Sequence, residues 1–232
     1  MSSVWRHANH LTPVAYGARL GSLTLIVLAL FLTAACGNSS AEAAATQILD
    51  HIQKSHITDV TLELAESYTD QGKKVAASGP MKFTQNPARF DATLTILVGG
   101  SHAVVEEIGD VAGGVVYAKA ISPQEGTMWR KVDISSNYFS YEEVFSFESL
   151  SNAELVDTEA LDGASVWHIR GDLIGGNVNS KCDLYVRKDT YRPVKVVTVN
   201  TGSIPVKDTM LYTAFNSGFS IDLPPDDQVQ QG

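Results

Sequence analysis

The sequence predicts a mainly β domain of the α+β class: a strongly curved antiparallel sheet covered by a few short helices. Three observations lead there. Apolar and polar residues alternate with period two in segment after segment, turn signals separate those segments at short intervals, and a single stretch shows clear helical spacing. Segments that follow one another so closely favour an antiparallel meander, because parallel pairing needs a crossover of about a dozen residues or more.

The chain opens on an export signal, residues 1–35. Arg6 and Arg19 supply a positive flank, residues 20–32 an apolar run, and Thr33-Ala34-Ala35 a small-residue end. The run is too short to cross a bilayer, which takes about 20 residues. Cys36 follows at once, and residues 36–42 read as this cysteine with a polar, flexible tether. The junction resembles a bacterial lipoprotein lipobox, with Thr33 where leucine is usual and Leu32 displaced by one. That resemblance implies that Cys36 is acylated and anchors the protein to the extracytoplasmic face of the cell membrane, in a bacterial cell envelope.

After Cys36 the chain carries 26 acidic and 15 basic residues, a net charge of −11. Such a surface excludes nucleic acid as a partner, because phosphate binding needs clustered lysine and arginine. It also repels anionic headgroups, so membrane residence falls to the acyl chains. Cys182 is the one other cysteine, leaving no intramolecular disulfide. It shares a strand side with Leu184 and Val186 and is expected to be a buried, inert thiol.

A single domain is expected over residues 43–223. Residues 43–55 read as a helix, with Ala45, Ile48, Leu49 and Ile52 on one face. From Val60 the period becomes two: Val60, Leu62 and Leu64 alternate with Thr61 and Glu63. Asp70-Gln71-Gly72 turns the chain into a second strand holding Met81 and Phe83. After Asn86-Pro87 comes the clearest amphipathic strand, with Phe90, Ala92, Leu94, Ile96 and Val98 on one side. Gly99-Gly100 and Gly113-Gly114 bound strands over 103–108 and 115–120, the latter with Val115 and Tyr117, and 128–132 is another.

The pattern lapses over 133–152, where Tyr138, Phe139, Phe145 and Phe147 crowd beside glutamates; a short helix and irregular chain are expected. Strands resume at 153–157 and, after the turn signal Asp162-Gly163, at 166–173, 181–187, 193–200 and 208–215. Residues 224–232, with Pro224-Pro225-Asp226-Asp227, are expected to be a disordered tail.

About ten strands at ~4.8 Å make a sheet roughly 48 Å wide, whereas two helices of ~10 Å diameter shelter about 20 Å of it. Either the sheet curls until its apolar face closes on itself, or it leaves a hollow for a hydrophobic guest. One strand face would then line a cavity: Leu62, Leu64, Met81, Phe83, Leu94, Ile96, Val115 and Tyr117. Tyr138, Phe139, Phe145 and Phe147 stand above it, either as core plugging the open side or as a lid touching the guest.

The layout resembles the LppX/LprA/LprF/LprG lipoprotein family, which shares a half-barrel fold with the lipoprotein carrier LolA. The features that carry the resemblance are Cys36 after a signal, the helix at 43–55, the long strand after Asn86-Pro87, Trp129, Leu161-Asp162-Gly163-Ala164-Ser165-Val166-Trp167-His168-Ile169-Arg170-Gly171, and Leu184-Tyr185-Val186-Arg187-Lys188-Asp189-Thr190-Tyr191-Arg192-Pro193-Val194. It implies a cavity for acyl chains of lipids or glycolipids. Residues 174–180 form a bare turn where these relatives carry an insertion, and the aromatic segment after Asp133 is short, so the implied cavity is reduced.

No Gly-x-Ser-x-Gly, His-Glu-x-x-His, P-loop or Gly-x-Gly-x-x-Gly motif occurs, so no enzyme site, cofactor or metal is indicated. His51, His56, His102 and His168 are scattered and read as solvated or locally hydrogen-bonded. Glu106-Glu107 and Glu142-Glu143 are neighbours on strands or loops and read as solvated charge. The function expected is a membrane-anchored, non-enzymatic lipoprotein that holds a lipid or other hydrophobic ligand as carrier or sensor. The alternative is an envelope scaffold of the same fold with a filled core, whose acidic surface touches a protein partner.

Overall fold

The computed structural model describes residues 40–121, 128–133, 144–175, 178–200, 202 and 204–230. A helix, α1 (40–54), leads into eleven strands of five residues or more: β1 (Asp59–Asp70), β2 (Lys73–Thr84), β3 (Arg89–Val98), β4 (Ser101–Asp110), β5 (Val115–Ala120), β6 (Trp129–Asp133), β7 (Leu150–Leu161), β8 (Ala164–Gly175), β9 (Val178–Arg187), β10 (Pro193–Asn200) and β11 (Val206–Phe215). A two-residue strand, β12 (Val229–Gln230), completes one sheet in the order β12-β6-β5-β4-β3-β2-β1-β11-β10-β9-β8-β7. The sheet is curved and open, with β12 and β7 at its two edges.

Local chemistry sets this path. Gln71-Gly72, Gly99-Gly100 and Asp162-Gly163 all take positive φ at both positions. Two-residue turns of that kind match the right-handed twist of paired strands, so β1/β2, β3/β4 and β7/β8 close as tight hairpins. Helix α1 buries Ala45, Ile48, Leu49 and Ile52 against the sheet, the face their three- and four-residue spacing predicts. It stops where the Ser55 amide and hydroxyl both donate to the Ile52 carbonyl and His56 turns left-handed at φ 47°. The helix starts at residue 40, inside the expected tether, because Ala41, Ala43 and Ala44 are strong helix formers; Thr46 already donates back to the Glu42 carbonyl.

The cross-strand registers define the concave face. Val60 pairs with Phe83 on one side and Phe215 on the other, Phe83 with Phe90, and Phe90 with Gly109. A Cβ at Gly109 would meet the Phe90 ring at 2.0 Å, so this position is kept bare for the ring to lie across β4. On the other side, Leu64, Met210, Val196, Leu184, Ile169 and Leu155 form one continuous apolar row through six strands.

Residues 224–230, expected to be disordered, form a short 3-10 turn and a two-residue strand. Residues 216–230 run across the outer face: Arg89 Nη1 donates to the Ile221 carbonyl at 2.8 Å, Ile221 is buried, and Val229–Gln230 pair in parallel with Trp129–Arg130. The physical reason is that β6 would otherwise present an unpaired row of amides and carbonyls, which two residues of extended chain satisfy. The strap is fastened at Asp59, 3% exposed, whose carboxylate accepts from the Ser217 and Gly218 amides at 2.6 and 3.0 Å. Asp59→Ala removes the acceptor of both amides and should cost about 1–3 kcal/mol, read as a lower urea midpoint.

Candidate functional site on the concave face

The concave face changes character along the strands. Near the start of β1 it is sealed: Val60, Leu62, Met81, Phe83, Phe90, Ala92, Leu94 and Val116 are buried beneath α1. The segment 144–150 adds Val144, Phe145, Phe147 and Leu150, with the Tyr212 hydroxyl donating to the Val144 carbonyl at 3.1 Å. Phe147 is 1% exposed and sits at φ 55°, a conformation a bulky residue adopts only when its surroundings hold it there. Phe145 and Phe147 therefore behave as packing, not as a surface that a guest would meet first. Tyr138 and Phe139 lie outside the described residues, as does Cys36.

Farther along β1, β3 and β11 the same face is only half-buried, while β8, β9 and β10 stay enclosed. Leu64, Ile96 and Met210 pack against the edge of the core without being enclosed. The next row across the sheet is Cys182, Thr198, Asp208, Glu66, Ala77 and Ile96, so carboxylates enter the apolar surface there. Glu107 joins them from β4, opposite Ala92. Thr198 donates to Asp208 Oδ2 at 3.1 Å, while Asp208 Oδ1 is sealed from solvent with no hydrogen-bond partner among the described residues. Beyond Glu66, a solvent-open recess of about 330 Å³ lies against Ser67, Tyr68, Thr69, Lys74 and Pro205. A smaller recess, about 180 Å³, flanks the sealed end between Ile52, His56, Gln85, Phe145 and Glu148. Only the larger reaches the range of about 300–1,000 Å³ usual for small-molecule sites.

Burial pushes the Glu66 carboxyl above its ordinary value, and the nearby Asp208 and Glu107 charges add to it; burial likewise raises Glu107 and Asp208, the latter against the Thr198 hydrogen bond. A carboxyl raised on folding makes the folded state hold its proton longer than the unfolded chain. Its cost is fully present above the folded-state value and disappears as pH falls toward the ordinary 3.8–4.5. Asp172 has the opposite sign: hydrogen bonds from Lys181 and Asn152 hold it below 3.8, a stabilisation lost only as pH falls further. Thermal stability should thus rise as pH falls from neutrality toward 4.5, and decline as pH falls below 3.8. Calorimetry at stepped pH checks this, and Glu107→Gln should flatten the rise.

Six of the eight expected cavity residues share this face, Leu62, Met81, Phe83 and Leu94 in the sealed part and Leu64 and Ile96 in the half-buried part. Val115 and Tyr117 do not. Val115 pairs with Asp110 and Tyr117 with Ile108, in the rows of Arg89 and Asp91 on the outer face, while Val116 points inward. A one-residue shift inverts a strand, and with Val115 and Val116 both apolar the alternation does not say which is inside. Glu107 is a second correction: it was expected to be solvated like Glu106, yet only Glu106 is outside, paired with Lys119. Cys182 is buried beside Leu184 and Val186 as expected.

An open antiparallel half-barrel with one helix laid into its concave side and a polar outer face defines a LolA-like fold. No protein-family model matches the sequence, and no curated protein is significantly similar to it. Among solved structures the chain is similar to the lipoprotein LppX of Mycobacterium tuberculosis, at 14% identity and a TM-score of 0.51, over 76% of this chain and 99% of that one. It is also similar to LprF of Mycobacterium bovis, at 12% identity and a TM-score of 0.50, over 78% and 97%. The chain has the LppX and LprF half-barrel fold. No helix among the described residues is long and apolar enough to cross a membrane.

Proposed function

We propose that this protein is a membrane-anchored, non-enzymatic lipoprotein of the bacterial cell envelope. It holds one acyl chain of a lipid, or a hydrophobic molecule of similar bulk, as carrier or sensor. The observation that supports it is the burial gradient: Leu64, Ile96 and Met210 stay half-buried, beside Val196, Leu184 and Ile169, which are enclosed. The guest lies along Leu64, Ile96 and Met210, with its polar end at the row of Glu66, Glu107 and Asp208, whose carboxyl oxygens accept hydrogen bonds from a hydroxyl. The sealed end limits the guest, so a large multi-acyl lipid is excluded. Attachment runs through acylated Cys36, the position that the lipobox pattern supports, and LppX, similar in fold, is itself a lipoprotein.

One observation favours a second reading, a protein-interaction scaffold: half of the concave face is already filled by the protein's own side chains. Titrating the chain, carrying Cys36→Ser to remove the anchor, with a pyrene-labelled fatty acid separates the two. Saturable uptake supports the carrier; no uptake at any concentration below micelle formation supports the scaffold. The same Cys36→Ser change should release the protein from membranes and abolish incorporation of labelled palmitate.

A further inference from the structure

The outer face of the sheet edge holds a cluster that the lipid-binding reading does not use. His168 on β8 is 7% exposed, although the sequence places it on a polar strand face. Its Nε2 lies 2.7 Å from Asp183 Oδ1. A carboxylate only accepts, so Nε2 carries the proton in the neutral ring and Nδ1 presents a lone pair. Two more carboxylates lie near Nδ1, with Asp157 Oδ1 at 3.5 Å and Glu159 Oε1 at 3.2 Å. With the ring neutral, three acceptors face one another with no other side-chain donor between them among the described residues, and the Arg170 Nε is engaged on Asp183. Such an arrangement is repulsive until a cation enters it.

The backbone has been bent to build it. Glu154 pairs with Arg170 and Leu155 with Ile169, but the register then slips, so that Asp157 faces His168. Without that bulge at Val156, Asp157 would stand opposite Trp167 on the concave side. Bulges recur beside functional sites because they re-aim a side chain. The ring itself is fixed by Asp183 behind it and by the Tyr185 ring, stacked 4.6 Å away.

We propose that His168 Nδ1, Asp157 and Glu159 form a three-ligand site for a divalent cation of the zinc class on the outer face of β7 and β8. The distances fit the ion. Metal bonds of ~2.0–2.1 Å at tetrahedral angles set neighbouring donors about 3.3–3.4 Å apart, against the 3.2 and 3.5 Å found here. The three donor atoms all lie within 4.8 Å of one another. One imidazole and two carboxylates suit zinc, whereas calcium takes about 6–8 oxygens. Asp183 is the outer partner that orients a metal-bound imidazole, and water fills the remaining position. The bound ion would clamp the edge strand β7 to β8.

Zinc chloride titrated into the metal-stripped full chain in detergent, followed by calorimetry, tests this. The expected result is one saturable site whose affinity falls at least 100-fold in the double variant Asp157→Asn/Glu159→Gln. Both carboxylates are exposed, so that variant keeps the fold. Asp183→Asn should weaken binding about 10- to 100-fold through the ring alone. Cobalt(II) should give visible bands typical of a low-coordinate nitrogen and oxygen site. Absence of zinc binding up to millimolar metal, or equal affinity in the double variant, overturns the assignment.

Discussion

Phe147→Ala should lower the unfolding free energy by about 3–5 kcal/mol, the usual cost of emptying a buried aromatic site. The side chain is 1% exposed, packs in the same cluster as Ile52, Phe83 and Tyr212, and is held in a left-handed backbone conformation. Against a total stability of about 5–15 kcal/mol, this removes roughly a fifth or more. Urea denaturation should show a large fall in midpoint at unchanged slope. A lid would give the opposite pattern, with stability nearly intact and ligand uptake lost. The burial of Val144 and Phe145 beside it makes the segment a plug, so Phe145→Ala should follow Phe147→Ala in kind.

The second large effect is on binding. Leu64→Gln and Ile96→Gln replace the two half-buried apolar side chains that flank the carboxylate row with polar ones of similar length. Covering the exposed half of such a side chain with an acyl chain contributes about 0.7–1.5 kcal/mol, so each change should weaken fatty-acid binding by about 3- to 10-fold, and the pair together by more. Their cost to folding should stay near 1 kcal/mol, because neither is enclosed in the unliganded protein. Met81→Ala, in the sealed part, should do the reverse: a loss of about 2–5 kcal/mol in stability with little change in affinity.

How far the residues announce this structure depends on how much each strand's two faces differ. Where they differ sharply, as with Phe90, Ala92 and Leu94 against Asp91 and Thr93, the strand and its inward face follow from alternation. Gly99-Gly100 and Asp162-Gly163 fix their hairpins for an equally local reason, since their residues tolerate positive φ. Val115-Val116 carries no such contrast, and its face was read the wrong way round. Asp157, Thr158 and Glu159 are polar in succession and look like the end of a strand, yet β7 runs on to Leu161, because its outer face needs no apolar residues and its pairing with β8 supplies the order.

The remaining features depend on the tertiary arrangement. Glu66, Asp208 and Glu107 lie far apart in the chain and become one cluster only when β11 closes beside β1 and the sheet curves. The register slip at Val156 has no sequence signal beyond an unusual run of polar residues, and without it His168 is an ordinary histidine on a polar face. The order of residues 224–230 was hidden by composition: prolines and aspartates suggest disorder, while Val229–Gln230 pair with the open edge of β6, remote in sequence.

The most direct measurement of the central claim is native mass spectrometry of the protein purified from bacterial membranes, with Cys36→Ser secreted protein as the anchor-free comparison. The lipid-binding account predicts a mass increment of one bound lipid or fatty acid, released on unfolding and lost in the Leu64→Gln/Ile96→Gln variant. A homogeneous unliganded mass, unchanged after incubation with fatty acid, would contradict it and leave a half-barrel whose concave face serves only its own packing.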